Sequence, residues 1–241
     1  ADLSDSVESQ VCFADFCPNG ADNAEDDNGH GTHVSGIISS RGVLSPVGVA
    51  RNTRIHTVKV LDSSNGFSSS SIIIEALDHI INNLPQVNLV NMSLGTYDRF
   101  ESFCDDQYVY TRAFANVINT LRERGTLSFV ASMNNASSNS ISAPACIANA
   151  ISVGAVWDTD PYSYNGECFE SNPTPDHMAC FSNSSIALDI LAPGSPIRAA
   201  RMNGGSVNYS GTSMATPMAV GCAALLKERS DNLTANQIES L

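Results

Sequence analysis

Val207-Asn208-Tyr209-Ser210-Gly211-Thr212-Ser213-Met214-Ala215-Thr216-Pro217 reads as a short strand, a tight turn at Gly211 and the start of a helix. From Met214 to Leu226 nearly every residue is apolar, so the helix is expected to be buried. Pro217 is placed in the first turn, where a missing N–H costs nothing. A serine at this position meets the positive end of the helix dipole and unpaired backbone N–H groups. That environment suits a nucleophile whose reaction builds negative charge on a neighbouring oxygen. A serine that only caps the helix accounts for the same residue, so the assignment needs support from elsewhere in the chain.

A second run supplies a base. Asp26-Asp27-Asn28-Gly29-His30-Gly31-Thr32-His33-Val34-Ser35-Gly36 precedes the apolar pair Ile37-Ile38. Glycines flank His30 and leave its ring open to a substrate. An imidazole titrates near neutrality and can take a hydroxyl proton and return it to a leaving group. His33 follows on the same helix face. A metal pair with His30 lacks a third ligand at a recognisable spacing, and a packed, hydrogen-bonded role beneath His30 is expected instead. A third run, Leu127–Met133, reads as a buried strand ending in Asn134-Asn135. A side-chain amide at a strand's carboxyl end can donate to a developing oxyanion, although two asparagines after a strand are commonly just a turn.

Around these runs, strand and helix alternate. Strands are predicted over 55–61, 87–92, 127–133, 150–156 and 188–192, and helices over 71–83 and 111–124. Apolar strands between amphipathic helices imply an α/β fold, a doubly wound, mostly parallel sheet in three layers with helices on both faces. Sites in such sheets form at the carboxyl ends of strands. The length of 241 residues suits one domain over 1–241 with a substantial core.

Together the three runs resemble the subtilisin-like serine peptidases (subtilases). His30-Gly31-Thr32-His33-Val34, Asn91-Met92-Ser93-Leu94-Gly95, the strand ending at Asn134-Asn135 and Gly211–Pro217 stand in that family's order. So do Val47–Ala50, Val58–Leu61, Ser152–Val156 and Leu191–Gly194. The resemblance covers nearly the whole chain. It implies that Ser213 is the nucleophile, His30 the general base and Asn135 the oxyanion donor beside the Ser213 N–H. It implies too that Gly66, Ser93, Leu94 and Gly95 pair with an extended substrate backbone, a mode in which main-chain bonds give affinity and side pockets give selectivity. The pocket before the cut is expected to involve Ser93–Gly95, the Asn134 region and Ala143–Cys146, whose small, neutral residues suggest an apolar or broad preference.

The sequence departs from the family in several places. The triad aspartate normally lies in a short Asp-Ser/Thr-Gly run upstream of the histidine, and no such run occurs here. Ala1-Asp2-Leu3 resembles the family's His-Pro-Asp-Leu segment just after that strand, so the aspartate is expected upstream of Ala1. Asp15, after Val11–Ala14, is the rival. The final Leu233–Leu241 stretch begins like a helix capped by Thr234, and a further segment is expected beyond it. On this reading the domain is truncated at both ends, and the missing strand leaves two sheet edges open. Asn134 stands where the family usually has glycine, and Met218 where it usually has histidine.

A net charge of −13 with only two lysines, Lys59 and Lys227, excludes a nucleic-acid partner. No apolar run is long enough to span a membrane. The reaction requires no cofactor. A structural calcium ion is compatible with Asp2, which stands where the family has a ligand. Seven cysteines imply disulfides in an exported protein. The pairing adopted from many alternatives joins Cys12 to Cys17, Cys104 to Cys146 and Cys168 to Cys180. Cys222, in the apolar helix, is expected to be a free, packed thiol.

The expected protein is a secreted, monomeric serine endopeptidase acting on protein or peptide substrates, made with a propeptide. The alternative is a non-catalytic subtilase-like peptide-binding module that lacks the triad aspartate. An α/β-hydrolase is disfavoured because no Gly-x-Ser-x-Gly elbow occurs.

Overall fold

The computed structural model describes residues 2–159, 163–230 and 232–241. Ala1, named in the amino-terminal resemblance, lies outside them. In order the chain forms β1 (Val7–Cys12), α1 (His30–Ser39), β2 (Ile55–Lys59), α2 (Ser70–Asn83), β3 (Leu89–Met92), β4 (Arg99–Phe100), α3 (Val109–Glu123), β5 (Leu127–Ala131) and β6 (Ile141–Ser142). It continues through β7 (Ile151–Trp157), β8 (Tyr164–Asn165), β9 (Phe169–Glu170), β10 (Ile190–Ser195), β11 (Ile197–Ala200), β12 (Ser206–Tyr209), α4 (Thr212–Arg229) and α5 (Ala235–Glu239). Two compact units result. One comprises residues 1–87 and 198–207, the other residues 88–197 and 208–241.

In the first unit, β1 and β2 pair in parallel, with Val11 opposite Val58. All five residues of β2 are half-buried. α2 buries Ile73, Ala76, Leu77 and Ile80, one stripe at helical spacing. Its first turn is capped by the Ser69 hydroxyl, which accepts from the Ser71 N–H at 3.2 Å. α1 lies hard against β11. A methyl group on Gly36 would stand 2.7 Å from the Ala200 Cβ and 2.9 Å from its nitrogen, so this approach requires glycine.

The second unit is built on a four-stranded sheet in the order β10-β7-β5-β3, parallel throughout. Every residue of β5 and of β7 is buried. That is why these strands read as unbroken apolar runs rather than alternating ones. α3 packs on β5, and α4 packs against all four strands. Phe114, Ile118 and Leu121 of α3 are fully buried, each contributing about 1.5–3 kcal/mol relative to exposure. The mostly parallel sheet with packed helices is the α/β architecture read from the sequence. β5 ends at Ala131 rather than at Met133, because Met133 turns into the left-handed region at φ 79°.

Two expectations for α4 need correction. The helix begins at Thr212, so Pro217 sits beyond the first turn and removes a real i→i−4 bond. The carbonyl so deprived is that of Ser213, and the Ser93 hydroxyl donates to it at 2.8 Å. Cys222 is free but exposed rather than packed. It shares a helix face with Leu225, which is 43% exposed. The apolar run is longer than the buried stripe. The three disulfides are Cys12–Cys17, Cys104–Cys146 and Cys168–Cys180, as adopted above. Among the described residues no helix is long and apolar enough to cross a membrane.

Candidate active site

In the first unit, His30 is the first residue of α1. Asp26 organises this helix start. Its carboxylate accepts from the N–H groups of Asn28 (3.0 Å), Gly29 (2.8 Å) and Thr32 (2.7 Å) and from the Thr32 hydroxyl (2.6 Å). Burial would raise its pKa, but the bonds from Thr32, Gly29 and Asn28 prevail and hold it below the ordinary value of 3.8. A fixed negative charge thus sits at the positive end of α1. Asp27 is bound instead to Lys59 at 2.6 Å. Burial pushes the His30 imidazole below its ordinary 6.5. The Asp26 charge opposes that shift and His33 adds to it. The ring is therefore neutral at neutral pH, the form a general base requires.

His33 is fully buried, with Nε2 3.1 Å from the Val207 carbonyl oxygen, in keeping with a packed role. Among the described residues no group of three or more His, Cys, Asp or Glu is arranged to hold a metal. Asp2, considered as a calcium ligand, has another task. Its carboxylate accepts from the N–H groups of Val43 (2.6 Å), Leu44 (3.0 Å) and Ser45 (2.9 Å) and from the Ser45 hydroxyl (2.9 Å). These bonds make Asp2 the closure of the 43–45 turn. The rival carboxylate Asp15 takes the N–H and hydroxyl of Ser68. Gly66 lies in a hydrogen-bonded turn. Its N–H donates to the Asp62 carboxylate at 3.0 Å and its carbonyl accepts from the Asp62 N–H at 2.9 Å. Both of its main-chain groups are engaged in this turn.

In the second unit, Ser213 is the second residue of α4. The amide that meets this helix start belongs to Asn134, not to Asn135. The Asn134 Oδ1 accepts from the Thr212 N–H (2.8 Å) and the Thr212 hydroxyl (3.1 Å). That assignment leaves the Nδ2 as the free donor end, close to Gly211. Asn135 is turned away and exposed. Its Oδ1 accepts from the Asn183 amide at 3.1 Å, and its N–H donates to the Asn183 Oδ1 at 2.8 Å. The physical reason is that β5 ends early: Met133 makes the left-handed turn, so Asn134 is the residue aimed at the helix. Among the described residues the Ser213 N–H has no partner. Two donors, Asn134 Nδ2 and Ser213 N–H, thus stand at one helix N-terminus, the arrangement that stabilises an oxyanion.

Ser93, Leu94 and Gly95 follow β3 and are half-buried. Ser93 is tied to the Ser213 carbonyl, as described above. The next residue, Thr96, donates its N–H to the Ala143 carbonyl at 2.8 Å. One functional contributor was not identified from the sequence. Asn183 is fully buried and accepts on Oδ1 from both Asn135 N–H and Ser137 N–H. Its own N–H donates to the Met133 carbonyl at 2.9 Å, and its carbonyl accepts from the Ser132 hydroxyl at 2.9 Å. It holds the 132–137 turn in shape. Its only signal is an asparagine two residues after the apolar Ala179–Phe181 stretch, which local sequence cannot distinguish from a loop residue.

Known proteins share this chain's sequence and fold. The profile of the subtilase family matches residues 4–241. The chain is 34% identical over 228 residues to alkaline serine exoprotease A of Vibrio alginolyticus, covering 94% of this chain and 36% of that protein. It is likewise 34% identical to subtilisin Savinase of Lederbergia lenta, covering 94% of this chain and 73% of that one. Relative to the alkaline protease of Alkalihalobacillus alcalophilus, the chain spans about half the length, 52%. Among solved structures, a cold adapted subtilisin-like serine proteinase superposes with a TM-score of 0.71 at 30% identity, over 97% of this chain and 73% of that one. Sphericase superposes with a TM-score of 0.80 at 26% identity, over 99% and 76%. A helix-borne histidine, a strand-end asparagine and a helix-borne serine in this order, with a family match spanning residues 4–241, establish that the chain belongs to the subtilase family.

Proposed function

We propose that this chain is the catalytic portion of a secreted serine endopeptidase. The observation that carries the reading is the start of α4, where Ser213 stands beside two oriented donors, its own N–H and the Asn134 Nδ2. Ser213 Oγ attacks the scissile carbonyl while His30 takes its proton. The carbonyl oxygen becomes an oxyanion held by the two donors. His30 then protonates the leaving amine, the acyl-enzyme forms, and water hydrolyses it by the same steps in reverse roles. Three disulfides support an oxidising, extracellular setting. Burial holds the His30 imidazole below its ordinary value in this chain, and turnover should fall once the pH is low enough to protonate it.

The test compares the two neighbouring asparagines in the full-length protein. Asn134→Ala should lower kcat about 10²- to 10³-fold, a magnitude that comes from a subtilisin itself, whereas Asn135→Ala should leave kcat within about twofold. The reverse order would return the oxyanion role to Asn135.

A second reading, a peptide-binding module without catalysis, is favoured by one observation. Among the described residues no carboxylate is hydrogen-bonded to the His30 ring, and a triad histidine needs one to fix its tautomer. A fluorophosphonate probe separates the two. Labelling abolished by Ser213→Ala supports the peptidase, and absence of labelling in the full-length protein supports the module.

A further inference from the structure

Met133 stands in the left-handed region, at φ 79°. Residues other than glycine rarely adopt this conformation, and such strain persists where surrounding structure enforces it. Here both main-chain groups are held. The Met133 N–H donates to the Thr212 hydroxyl at 3.2 Å, and its carbonyl accepts from the buried Asn183 at 2.9 Å. With the backbone fixed at both ends, the direction of the side chain is set. It lies over Gly95. A methyl group on Gly95 would stand 2.8 Å from the Met133 Cγ, 2.9 Å from its Sδ and 3.4 Å from the Ala143 carbonyl oxygen. The thioether therefore occupies the space between the 93–95 segment and the 132–134 segment, with Ala143 behind it. Met133 is itself half-buried, so part of it still faces outward.

Both segments flank the nucleophile. Asn134 meets the helix start at Thr212, and Ser93 donates to the Ser213 carbonyl. A substrate residue acylating Ser213 would place its carbonyl oxygen at the Asn134 Nδ2 and the Ser213 N–H. Its Cα is one bond from that carbonyl's carbon, and its side chain then falls between the same two segments, onto Met133 and Gly95. We propose that Met133 fills the pocket for the residue on the acyl side of the scissile bond and restricts that residue to a small side chain, such as glycine, alanine or serine. Met133 is thus a specificity-determining residue, and its role rests on the peptidase reading above. Small, neutral walls alone would have implied a broad pocket; the methionine closes it.

The test uses the full-length protein and two peptide nitroanilides that differ only in carrying Ala or Phe before the cleaved bond. A fluorophosphonate titration of Ser213 runs alongside. The unaltered enzyme should favour the Ala substrate in kcat/KM by about tenfold or more, the range one pocket contact sets. Met133→Gly, which suits the left-handed backbone, should raise the Phe-to-Ala ratio by about tenfold or more. A labelled enzyme without the Ala preference, whether it cleaves Phe equally or cleaves neither, overturns the proposal and leaves the peptidase reading standing. So does a ratio unmoved by Met133→Gly. Absence of both labelling and cleavage overturns the peptidase reading, and this inference with it.

Discussion

The two units solve the same problem, a parallel sheet covered by helices, to different depths. In the second, β5 and β7 are buried along their whole length and α4 packs against four strands. In the first, two strands make the sheet, β2 is half-buried throughout, and three central residues of β1 are exposed. A parallel strand is stable where both faces are covered. The second unit therefore carries the larger share of apolar burial, and the first relies more on polar closures such as Asp2 and Asp26. Stability is accordingly uneven, and the histidine's unit is the softer of the two.

The sharpest way to break this comparison is one substitution made in both sheets. Val153→Asp places a carboxylate at a fully buried position of β7 and should cost about 4–5 kcal/mol or more, enough to unfold the second unit in a circular-dichroism melt. Val58→Asp at the half-buried β2 should cost about 1–2 kcal/mol. Equal losses would mean that the two sheets are equally essential.

Next in size is Asp2→Ala, which strands the N–H groups of Val43, Leu44 and Ser45 and should cost about 3 kcal/mol at neutral pH. Burial raises the Asp2 pKa, but the bonds from Val43, Leu44 and Ser45 outweigh it, and the folded value lies below 3.8. A depressed folded pKa contributes stability above the unfolded value that is lost as pH falls through the folded one. The gap between the natural protein and Asp2→Ala, measured by denaturant titration, should therefore narrow below pH 3.8. The matching hub in the second unit, Asn183, is neutral. Asn183→Ala should cost about 2 kcal/mol with no narrowing over the same pH range. A pH-dependent Asn183→Ala penalty would show that the two hubs are not the separate devices described.

The smallest effect is expected from Cys222→Ser. The thiol is exposed on α4, so the change should shift stability by no more than about 0.5 kcal/mol. A larger loss would restore the packed thiol anticipated from the apolar run.

That last contrast indicates what the sequence can convey. The strand–turn–helix reading at Ser213, the helix at His30 and the apolar strands of the second unit were legible because period and composition carry them. Cys222 was misread because an all-apolar helix hides which of its faces meets a partner. The amide that meets the start of α4 is one residue earlier than expected because a single left-handed residue, Met133, sets the phase of the turn, and methionine gives no hint of it. Asn183 and Asp2 were missed as closures because their partners lie far away in sequence, and an asparagine or aspartate in a loop looks alike with or without them.

The missing rung at Pro217 carries one more consequence. The carbonyl it leaves unbonded in α4 is bonded by Ser93 instead, at the head of the segment expected to take the substrate backbone. Vibrational frequency of a carbonyl follows the strength of the bond it accepts. A carbon-13 label on the Ser213 carbonyl would therefore act as an optical gauge inside Ser213 itself, its amide band shifting as a peptide engages Ser93–Gly95.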